Sequence, residues 1–347
     1  MYKVIQWATG SMGRTSLRRI IDHPDLELVG VYVYSEKKAG MDAGQLAKRP
    51  DTGVRATSNI EEILALDADV VIHTPRITLP YEKLNADVER LLASGKNVIS
   101  TAGFHFPDAH GDGYAAPLRE ACLRGNSTLA GLGVNPGGFI ERVVMAATGF
   151  CAQLDHIDVR EMVDASAMTS PEFVFGMMGF GKDPAQEDIT KGPLAALYTN
   201  LFGEIFAFVG HAISAKMVSF EPLHELTLAP NDLAIGAGVV KKGTVAATLW
   251  RWTAAYDNGA RFTLSILWTS SPSLHGGETG GHWLVDITGR PNIRMTLDIH
   301  EGDPSAPPSR ALTDATMAAA LRGIPDVCAA APGFFSYAAP GAYRARL

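Results

Sequence analysis

The fold is decided by a stretch near the start of the chain, Val4-Ile5-Gln6-Trp7-Ala8-Thr9-Gly10-Ser11-Met12-Gly13-Arg14-Thr15-Ser16-Leu17-Arg18-Arg19-Ile20-Ile21. Its apolar first part is typical of a strand, and the apolar side chains of its last part have the spacing of one helix face. A glycine turn lies between them, and this order of strand, turn and helix is the fingerprint of a dinucleotide-binding site. Gly10 lets the backbone approach a pyrophosphate, Gly13 lets helix and strand pack closely, and the amides and dipole at the helix start favour phosphate charge. We therefore predict that this stretch binds a dinucleotide cofactor.

The fingerprint departs from the pattern Gly-x-Gly-x-x-Gly at its first position, which is Ala8. A small side chain can still turn there, provided that the backbone does not need a left-handed conformation. The predicted cofactor contacts around this turn are Thr9, Gly10, Ser11, Met12, Gly13 and Arg14.

The second predicted strand, residues 26–35, bears on the choice between NAD and NADP. An NAD site usually has Asp or Glu at the end of this strand to bind the ribose hydroxyls, but here the strand ends on Tyr34 and Ser35. A hydroxyl followed by cations suits a 2'-phosphate, so the sequence favours NADP. Two alternatives stay open: the lysines form a solvated turn, or Glu36 makes an NAD-type ribose contact. The candidate phosphate ligands are Ser35, Lys37, Lys38 and Arg14.

Strands and helices alternate up to Gly138, which predicts right-handed crossovers and a doubly wound parallel sheet. Beyond it, two antiparallel hairpins turn at residues 257–260 and 289–292. We therefore predict an α/β protein with an N-terminal Rossmann domain, residues 1–138, and a C-terminal α+β domain with a mainly antiparallel sheet, residues 139–308. Closing helices within residues 309–347 are expected to pack back on the first domain.

Ligands of an open parallel sheet bind at the carboxyl ends of its strands. One buried strand of the predicted sheet ends at Thr74 and Pro75, and the next ends at Thr101, after which Ala102 begins a loop. These four residues are therefore predicted to contact the cofactor.

The composition excludes several classes of partner. The chain carries 30 basic and 37 acidic residues, a net charge of -7, which offers no electrostatic footprint for nucleic acid or an acidic membrane. Three cysteines are too few and too scattered for a disulfide framework or a Cys-x-x-Cys metal site, which favours a reducing compartment. No signal-peptide pattern is evident, and no apolar run reaches the roughly 18 residues of a membrane span. We therefore expect a cytoplasmic location.

Several segments together resemble the dihydrodipicolinate-reductase-like family, which includes 2,4-diaminopentanoate dehydrogenase and the native amine dehydrogenases. The resemblance spans most of the chain. It is carried by residues 4–14, the strand at 69–75, Asn97-Val98-Ile99-Ser100, Asn135-Pro136-Gly137 and Gly323-Ile324-Pro325. The chain has no His-His pair and so departs from genuine dihydrodipicolinate reductase.

The resemblance implies a cofactor site in the first domain, and a substrate pocket and a dimer sheet in the second domain. It also implies a glutamate in the loop after the Asn97 strand, which acts as the acid or base for the amine. In this chain the loop reads Thr101-Ala102-Gly103-Phe104-His105 and has no carboxylate. The residues that the resemblance assigns are Gly10, Met12 and Gly13 for the pyrophosphate, and Thr74, Pro75, Asn135 and Pro136 for the nicotinamide and its ribose.

Hydride transfer to a C=O or C=N bond needs a proton donor for the developing alkoxide or amine. His105 is the first candidate because an imidazole titrates near neutral pH, and the alternative is a loop histidine that only shapes the pocket. Glu278 and His282 lie in a glycine-rich segment that is either a mobile flap over the site or an exposed connection between strands. No metal site is expected.

The sequence thus predicts an NAD(P)H-dependent oxidoreductase, and the resemblance implies that it forms a homodimer. The predicted reaction moves a hydride between the nicotinamide and the C=N or C=O carbon of a small to medium apolar ketone, aldehyde, imine or amine. Two alternatives stay open, a carbonyl or imine reductase that does not activate ammonia and a non-catalytic NADP-binding protein.

Overall fold

The computed structural model describes residues 1–276, 282–307 and 309–345. The chain divides into two compact units, each made of two segments. Unit 1 comprises Met1–Ile140 and Thr313–Ala338, and unit 2 comprises Glu141–Leu312 and Ala339–Leu347. The sequence-based boundaries were residues 138 and 308, and the end of the chain differs most. Residues 309–312 and the last segment group with unit 2 and not with the first unit.

The strands of the described residues are numbered in chain order. They are β1 (Tyr2–Trp7), β2 (Leu26–Tyr32), β3 (Ala56–Thr57), β4 (Val70–His73), β5 (Asn97–Ser100), β6 (Thr128–Gly131), β7 (Gln153–Asp164), β8 (Met217–Leu228), β9 (Leu233–Ile235), β10 (Gly238–Val240), β11 (Val245–Tyr256), β12 (Arg261–Thr269), β13 (Trp283–Arg290), β14 (Ile293–Leu297) and β15 (Gly333–Phe335).

The helices are numbered in the same way, and five shorter 3-10 or π turns accompany them. The α-helices are α1 (Ser11–Asp22), α2 (Ala43–Ala47), α3 (Ile60–Ala65), α4 (Asn85–Ala93), α5 (Asp112–Gly125), α6 (Met145–Thr148), α7 (Pro193–Ala212), α8 (Ser309–Arg322) and α9 (Ile324–Ala329). The short turns are Tyr81–Leu84, Pro107–His110, Phe139–Val144, Glu172–Met177 and Pro272–Leu274.

Unit 1 is built on a seven-stranded sheet in the order β15-β6-β5-β4-β1-β2-β3. Every neighbouring pair is parallel, which confirms the predicted Rossmann sheet. Its central strands are apolar and buried because helices cover both faces. One face packs against α3, α4 and α5, and the other against α1, α8 and α9. The second strand is shorter than predicted and ends at Tyr32, since β3 offers only two residues to pair with.

Unit 2 is built on a six-stranded sheet in the order β14-β13-β7-β12-β11-β8. Its neighbours are antiparallel except β7 and β12, which are parallel, and this confirms the predicted mainly antiparallel sheet. Helix α7 packs its aromatic side chains on this sheet. Two hydrogen bonds fix the contact, from Trp252 Nε1 to Thr199 Oγ1 at 3.0 Å and from the Tyr256 hydroxyl to the Phe206 carbonyl at 2.9 Å.

By length and hydropathy alone, α7 would pass for a membrane span. It is the one such helix within the described residues. Most of its apolar side chains are buried inside unit 2, among them Leu201, Ile205 and Val209, which is how the core helix of a folded domain behaves. The helix is therefore weak evidence for a membrane span.

Candidate functional site

The glycine turn between β1 and α1 contains a left-handed residue that is not glycine. Ala8 has a φ of 69°, so the position of the missing glycine does need the conformation that L-residues rarely adopt. The condition set on Ala8 by the sequence analysis is therefore not met. The reason lies in the packing around its carbonyl group, because a Cβ at Gly13 would lie 2.1 Å from the Ala8 oxygen. The turn closes tightly only with a left-handed residue before it and a glycine after it.

A buried polar network supports this turn from below. The Gln6 side-chain amide donates hydrogen bonds to the Ala8 carbonyl and to Thr74 Oγ1, both at 2.9 Å. The Thr74 hydroxyl in turn donates to the Trp7 carbonyl at 3.0 Å. Thr74, which follows β4, thus holds the end of β1 and packs beside Gly13, whose Cβ would meet its hydroxyl at 2.8 Å. The predicted residue lies at the turn, where it supports the backbone.

The start of α1 has the features of an anion site. Its N-cap is Gly10, and no side chain caps the first-turn amides. A Cβ at Gly10 would meet nothing within 4 Å, so the space above this residue is open. Amides without a side-chain cap, the positive end of the helix dipole and an open approach together suit a phosphate group. The residues present therefore fit the pyrophosphate of a dinucleotide.

A cavity of about 190 Å³ lies beside this turn. It is formed by the end of β1, the segment after β2 and the segment after β4. The lining residues are Ala8, Thr9, Gly10, Val33, Tyr34, Ser35, Lys38, Thr74, Pro75 and Arg76. Six of the residues predicted from the sequence line it, namely Thr9, Gly10, Ser35, Lys38, Thr74 and Pro75.

Lys38 is the cation of the second turn that reaches the cavity. Its ammonium group donates hydrogen bonds to the carbonyl and the hydroxyl of Thr9, at 3.0 and 3.1 Å. Lys37, the residue also predicted to bind phosphate, is exposed and does not line the cavity. Ser11 and Arg14 are exposed on the first turn of α1 and Met12 is half-buried there.

Tyr34 lines the cavity, and two further aromatic side chains pack behind it. The rings of Trp7 and Tyr32 stack with their centroids 3.8 Å apart, and Trp7 Nε1 donates a hydrogen bond to the Tyr34 hydroxyl at 2.9 Å. Burial raises the pKa of Tyr34 to about 12. Tyr34 is therefore neutral at physiological pH; it lines the cavity, and about half of the residue is exposed.

The loop after β5 lies at the same carboxyl edge of the sheet. Thr101 is half-buried and Ala102 is buried. The Ala102 amide donates to Ser100 Oγ at 3.1 Å, and Ser100 Oγ also shares a hydrogen bond of 3.0 Å with His73 Nδ1. Burial lowers the pKa of His73 to about 3. A neutral histidine thus helps to fix the start of this loop.

Two consecutive left-handed residues shape the rest of this loop. Gly103 has a φ of 112° and Phe104 a φ of 65°, and the Phe104 ring is buried in the core beneath α5. A Cβ at Gly103 would lie 2.5 Å from the hydroxyl oxygen of Tyr81. The Tyr81 phenol therefore fills the space that a side chain at position 103 would take. Tyr81 was not predicted from the sequence, since nothing in its local pattern separates it from an ordinary core aromatic.

His105 is enclosed by the ends of β6 and the loop that follows. It is buried, and neither of its ring nitrogens has a hydrogen-bond partner among the described residues. A Cβ at Gly137 would lie 2.6 Å from its Nδ1, so the ring packs on the backbone of the loop that holds Asn135 and Pro136. In this conformation the imidazole offers no nitrogen to solvent. The proton-donor role of His105 stays a prediction.

The other two predicted catalytic residues belong to the second half of the chain. Glu278 lies outside the described residues. His282 directly precedes β13 in unit 2 and packs on Trp283, with ring centroids 4.2 Å apart. Burial lowers the pKa of His282 to about 4, so its imidazole is neutral at physiological pH.

Two further features concern ligands. Within residues 1–276, 282–307 and 309–345, no group of three or more His, Cys, Asp or Glu side chains is placed to hold a metal ion. A larger surface cleft of about 630 Å³ lies in unit 2 between α7 and β8, and none of the predicted site residues lines it.

Known proteins are similar to this chain in sequence and in fold. The family model of the dihydrodipicolinate reductase N-terminus matches residues 4–110. The chain is 25% identical over 310 residues to an amine dehydrogenase of Streptomyces virginiae, covering 86% of this chain and 85% of that protein. It is 24% identical over 340 residues to the 2,4-diaminopentanoate dehydrogenase of Acetoanaerobium sticklandii, covering 95% of this chain and 91% of that protein.

Solved structures extend the likeness in fold. The amine dehydrogenase of Mycobacterium smegmatis superposes with a TM-score of 0.78 at 18% identity, covering 96% of this chain and 94% of that one. GenD2 from gentamicin A biosynthesis, in complex with NAD, superposes with a TM-score of 0.56 at 17% identity, covering 94% of this chain and 86% of that one. The family match includes the glycine turn, both segments that line its cavity and the loop after β5, and the relatives align along most of the chain. The chain is therefore similar, over most of its length, to members of the dihydrodipicolinate-reductase-like family.

Proposed function

We propose that the protein is an NAD(P)H-dependent oxidoreductase of the amine dehydrogenase type. It moves a hydride between the nicotinamide and the C=N or C=O carbon of a small to medium apolar ketone, aldehyde, imine or amine. The observation that carries the proposal is the start of α1. Its first-turn amides have no side-chain cap, the space above Gly10 is open, and Gly10 lines the same cavity as Lys38. The relatives named as dehydrogenases of amines support the reaction class.

In this proposal the residues around the turn hold the dinucleotide. The backbone from Thr9 to Gly13 binds the pyrophosphate, with Ser11, Met12 and Arg14 on the first turn of α1 beside it. Thr74, Pro75, Thr101, Ala102, Asn135 and Pro136 flank the nicotinamide and its ribose at the carboxyl ends of the strands. The bound cofactor supplies or accepts the hydride, and the protein supplies orientation and a proton.

NADP is the proposed cofactor, with NAD as the alternative. The Ser35 hydroxyl and the Lys38 ammonium both line the cavity at the end of β2, and a cation beside a hydroxyl suits a 2'-phosphate. Glu36 directly follows Ser35 and is exposed. Its carboxylate is the group that would bind the ribose hydroxyls of NAD instead.

A second candidate function is a carbonyl or imine reductase that does not activate ammonia. The specific observation in its favour is the loop Thr101-Ala102-Gly103-Phe104-His105, which carries no carboxylate to take a proton from an amine. A third, non-catalytic NADP binding, is favoured by the enclosure of the His105 ring nitrogens.

One assay separates the three functions. NADPH oxidation is followed with a panel of ketones and aldehydes, each with and without excess ammonium or methylamine at alkaline pH. Turnover that requires the amine supports the amine dehydrogenase, and turnover without it identifies a carbonyl reductase. NADPH binding with no turnover of any compound contradicts the enzymatic proposal.

We also propose a homodimer in the cytoplasm. Strand β8 lies at the edge of the unit 2 sheet and exposes large apolar side chains, with Val218 and Leu223 more than half exposed, and such a patch favours a protein contact. The cysteines Cys122, Cys151 and Cys328 are all free, as in a reducing compartment. Light scattering after gel filtration tests the dimer, and a monomer at micromolar concentration would contradict it.

A further inference from the structure

The imidazole of His105 is buried and unpaired in the loop that follows β5. The residue is 7% exposed, and neither ring nitrogen has a hydrogen-bond partner among the described residues. A neutral imidazole has one donor and one acceptor, so both are unused in this conformation. Buried polar groups without a partner cost free energy and are rare in folded proteins. A conformation that pairs these two nitrogens would therefore satisfy the side chain better.

The residue lies in a slot between two glycines of the unit 1 sheet edge. A Cβ at Gly137 would lie 2.6 Å from His105 Nδ1, and a Cβ at Gly131 would lie 2.3 Å from the His105 amide nitrogen. Only glycine at these positions admits the residue, and neither position has a side chain that interlocks with the ring. The imidazole can thus leave the slot without displacing a side chain at position 131 or 137.

The residue before His105 is anchored in a strained conformation. Phe104 has a φ of 65°, which is an outlier for a bulky L-residue, and its ring is 2% exposed in the core beneath α5. Strain of this kind persists where the surrounding structure enforces it, and it concentrates at functional sites. Because the Phe104 ring is held in the core, movement at this point of the loop falls to His105.

The first residues of the same loop are those proposed to contact the cofactor. Thr101 and Ala102 follow β5 at the carboxyl edge of the sheet, where open sheets bind their ligands. A bound dinucleotide brings ribose hydroxyls and a carboxamide to this edge. These groups are hydrogen-bond partners of the kind that the imidazole lacks in the slot.

We propose that His105 is a conformational switch that responds to the cofactor. The proposal rests on the proposed function and concerns the regulation of the same site. In the cofactor-free protein the imidazole lies in the slot between Gly131 and Gly137. In the cofactor complex it leaves the slot, and its nitrogens pair with polar groups of the cofactor or with water. A ligand shifts such an equilibrium only by binding one state better, and the new hydrogen bonds supply the difference. The histidine predicted as the proton donor is thus withheld until the hydride carrier is bound.

The first test removes the unpaired nitrogens. His105→Phe and His105→Leu both place an apolar side chain in the slot, and the two shapes guard against a poor fit of either one. In the cofactor-free protein we expect the better-fitting variant to raise the midpoint of thermal unfolding by about 2–4 °C. His73→Leu is the control, because His73 Nδ1 shares a hydrogen bond with Ser100, and its midpoint should fall. A midpoint that rises in neither His105 variant overturns the proposal.

The second test measures the link to the cofactor. A variant that stabilises the slot conformation opposes the shift on binding, so we expect the Kd of NADPH to rise about fivefold for a midpoint gain of this size. An unchanged Kd in a stabilised variant overturns the link.

Crystal structures of the wild type with and without NADPH show the switch directly. We expect the imidazole in the slot without NADPH and outside it in the complex, and a ring that stays in the slot in the complex overturns the switch alone. A wild type that binds neither NADPH nor NADH contradicts the proposed function and, with it, the cofactor trigger.

Discussion

The side-chain ammonium of Lys38 donates hydrogen bonds to the carbonyl oxygen of Thr9 at 3.0 Å and to its hydroxyl at 3.1 Å. The turn after β2 is thereby tied to the turn after β1, and a positive charge is held at the cavity. Its neighbour Lys37 is exposed and lines no part of that cavity. Two adjacent lysines of equal charge therefore lie in different surroundings.

We expect Lys38→Met to weaken NADPH binding about 10- to 100-fold and to weaken NADH binding much less, because a charge-assisted contact with the 2'-phosphate is lost. Fluorescence titration with each cofactor measures both constants. Lys37→Met is the control and is expected to leave the preference unchanged. An equal loss for both cofactors would mean that Lys38 only braces the turn at Thr9.

Gly10 and Gly13 should respond differently to alanine. Gly13→Ala is expected to destabilise the protein by about 1–3 kcal/mol, because the new Cβ would lie 2.1 Å from the Ala8 oxygen and the backbone must shift. Gly10→Ala meets nothing within 4 Å and is expected to fold normally. Its methyl group stands in the approach to the pyrophosphate, so we expect NADPH affinity to fall about tenfold or more.

Urea unfolding and NADPH titration of both variants separate these effects. Unchanged NADPH affinity in a folded Gly10→Ala would show that the pyrophosphate lies elsewhere.

Ala8→Gly should stabilise the protein. The left-handed conformation costs an L-residue about 1–2 kcal/mol, and this cost disappears with glycine. Glycine also makes the unfolded chain more flexible, which offsets part of the stabilisation, so we expect a net increase of about 0.5–1 kcal/mol in the free energy of unfolding. Urea unfolding measures it. The control is Ala318→Gly, at an exposed position within α8, which should instead lose about 1 kcal/mol. A loss in both variants would contradict the strain at Ala8.

His73 makes the stability depend on pH in a defined direction. Its pKa of about 3 in the folded chain lies below the ordinary value near 6.5, so only the unfolded chain binds the proton at mildly acidic pH. Its contribution is therefore complete above about pH 6.5 and is lost as the pH falls towards 3. His73→Asn keeps a partner for Ser100 and does not titrate. Between pH 7 and 4.5 we expect the variant to lose about 2–3 kcal/mol less than the wild type in urea unfolding.

Equal losses for the wild type and His73→Asn would show that His73 is not buried in its neutral form. His282, whose pKa is about 4, changes stability in the same direction and is present in both proteins, so it cancels in the comparison.

The sequence predicted those features that depend on neighbours along the chain. The strand, turn and helix of residues 4–21 follow from local spacing, and the hairpins follow from their turn residues. The left-handed φ of Ala8 could not be predicted, because it depends on how its carbonyl packs on Gly13 and on Thr74, which is contributed by another strand. The hydroxyl of Tyr81 was missed for the same reason, since it meets Gly103 only in the folded chain.

The choice between Lys37 and Lys38 also depended on the folded chain. Both residues have the charge that a phosphate requires, and only the end of β2 at Tyr32 and the turn that follows decide which side chain faces the cavity. The end of the chain shows the same limit, because its pattern predicted closing helices within residues 309–347 but not that residues 339–347 group with unit 2.

The outermost strand of the unit 1 sheet, β15, comes from residues 333–335, and α8 and α9 cover one face of that sheet. All of unit 2 up to Leu312 stands between these pieces and the six strands that precede them. On the ribosome, the first six strands therefore emerge long before their last partner, with one apolar face incompletely covered. Unit 1 begins first and is completed nearly last, so a premature stop anywhere from Glu141 to Leu312 also leaves unit 1 unfinished.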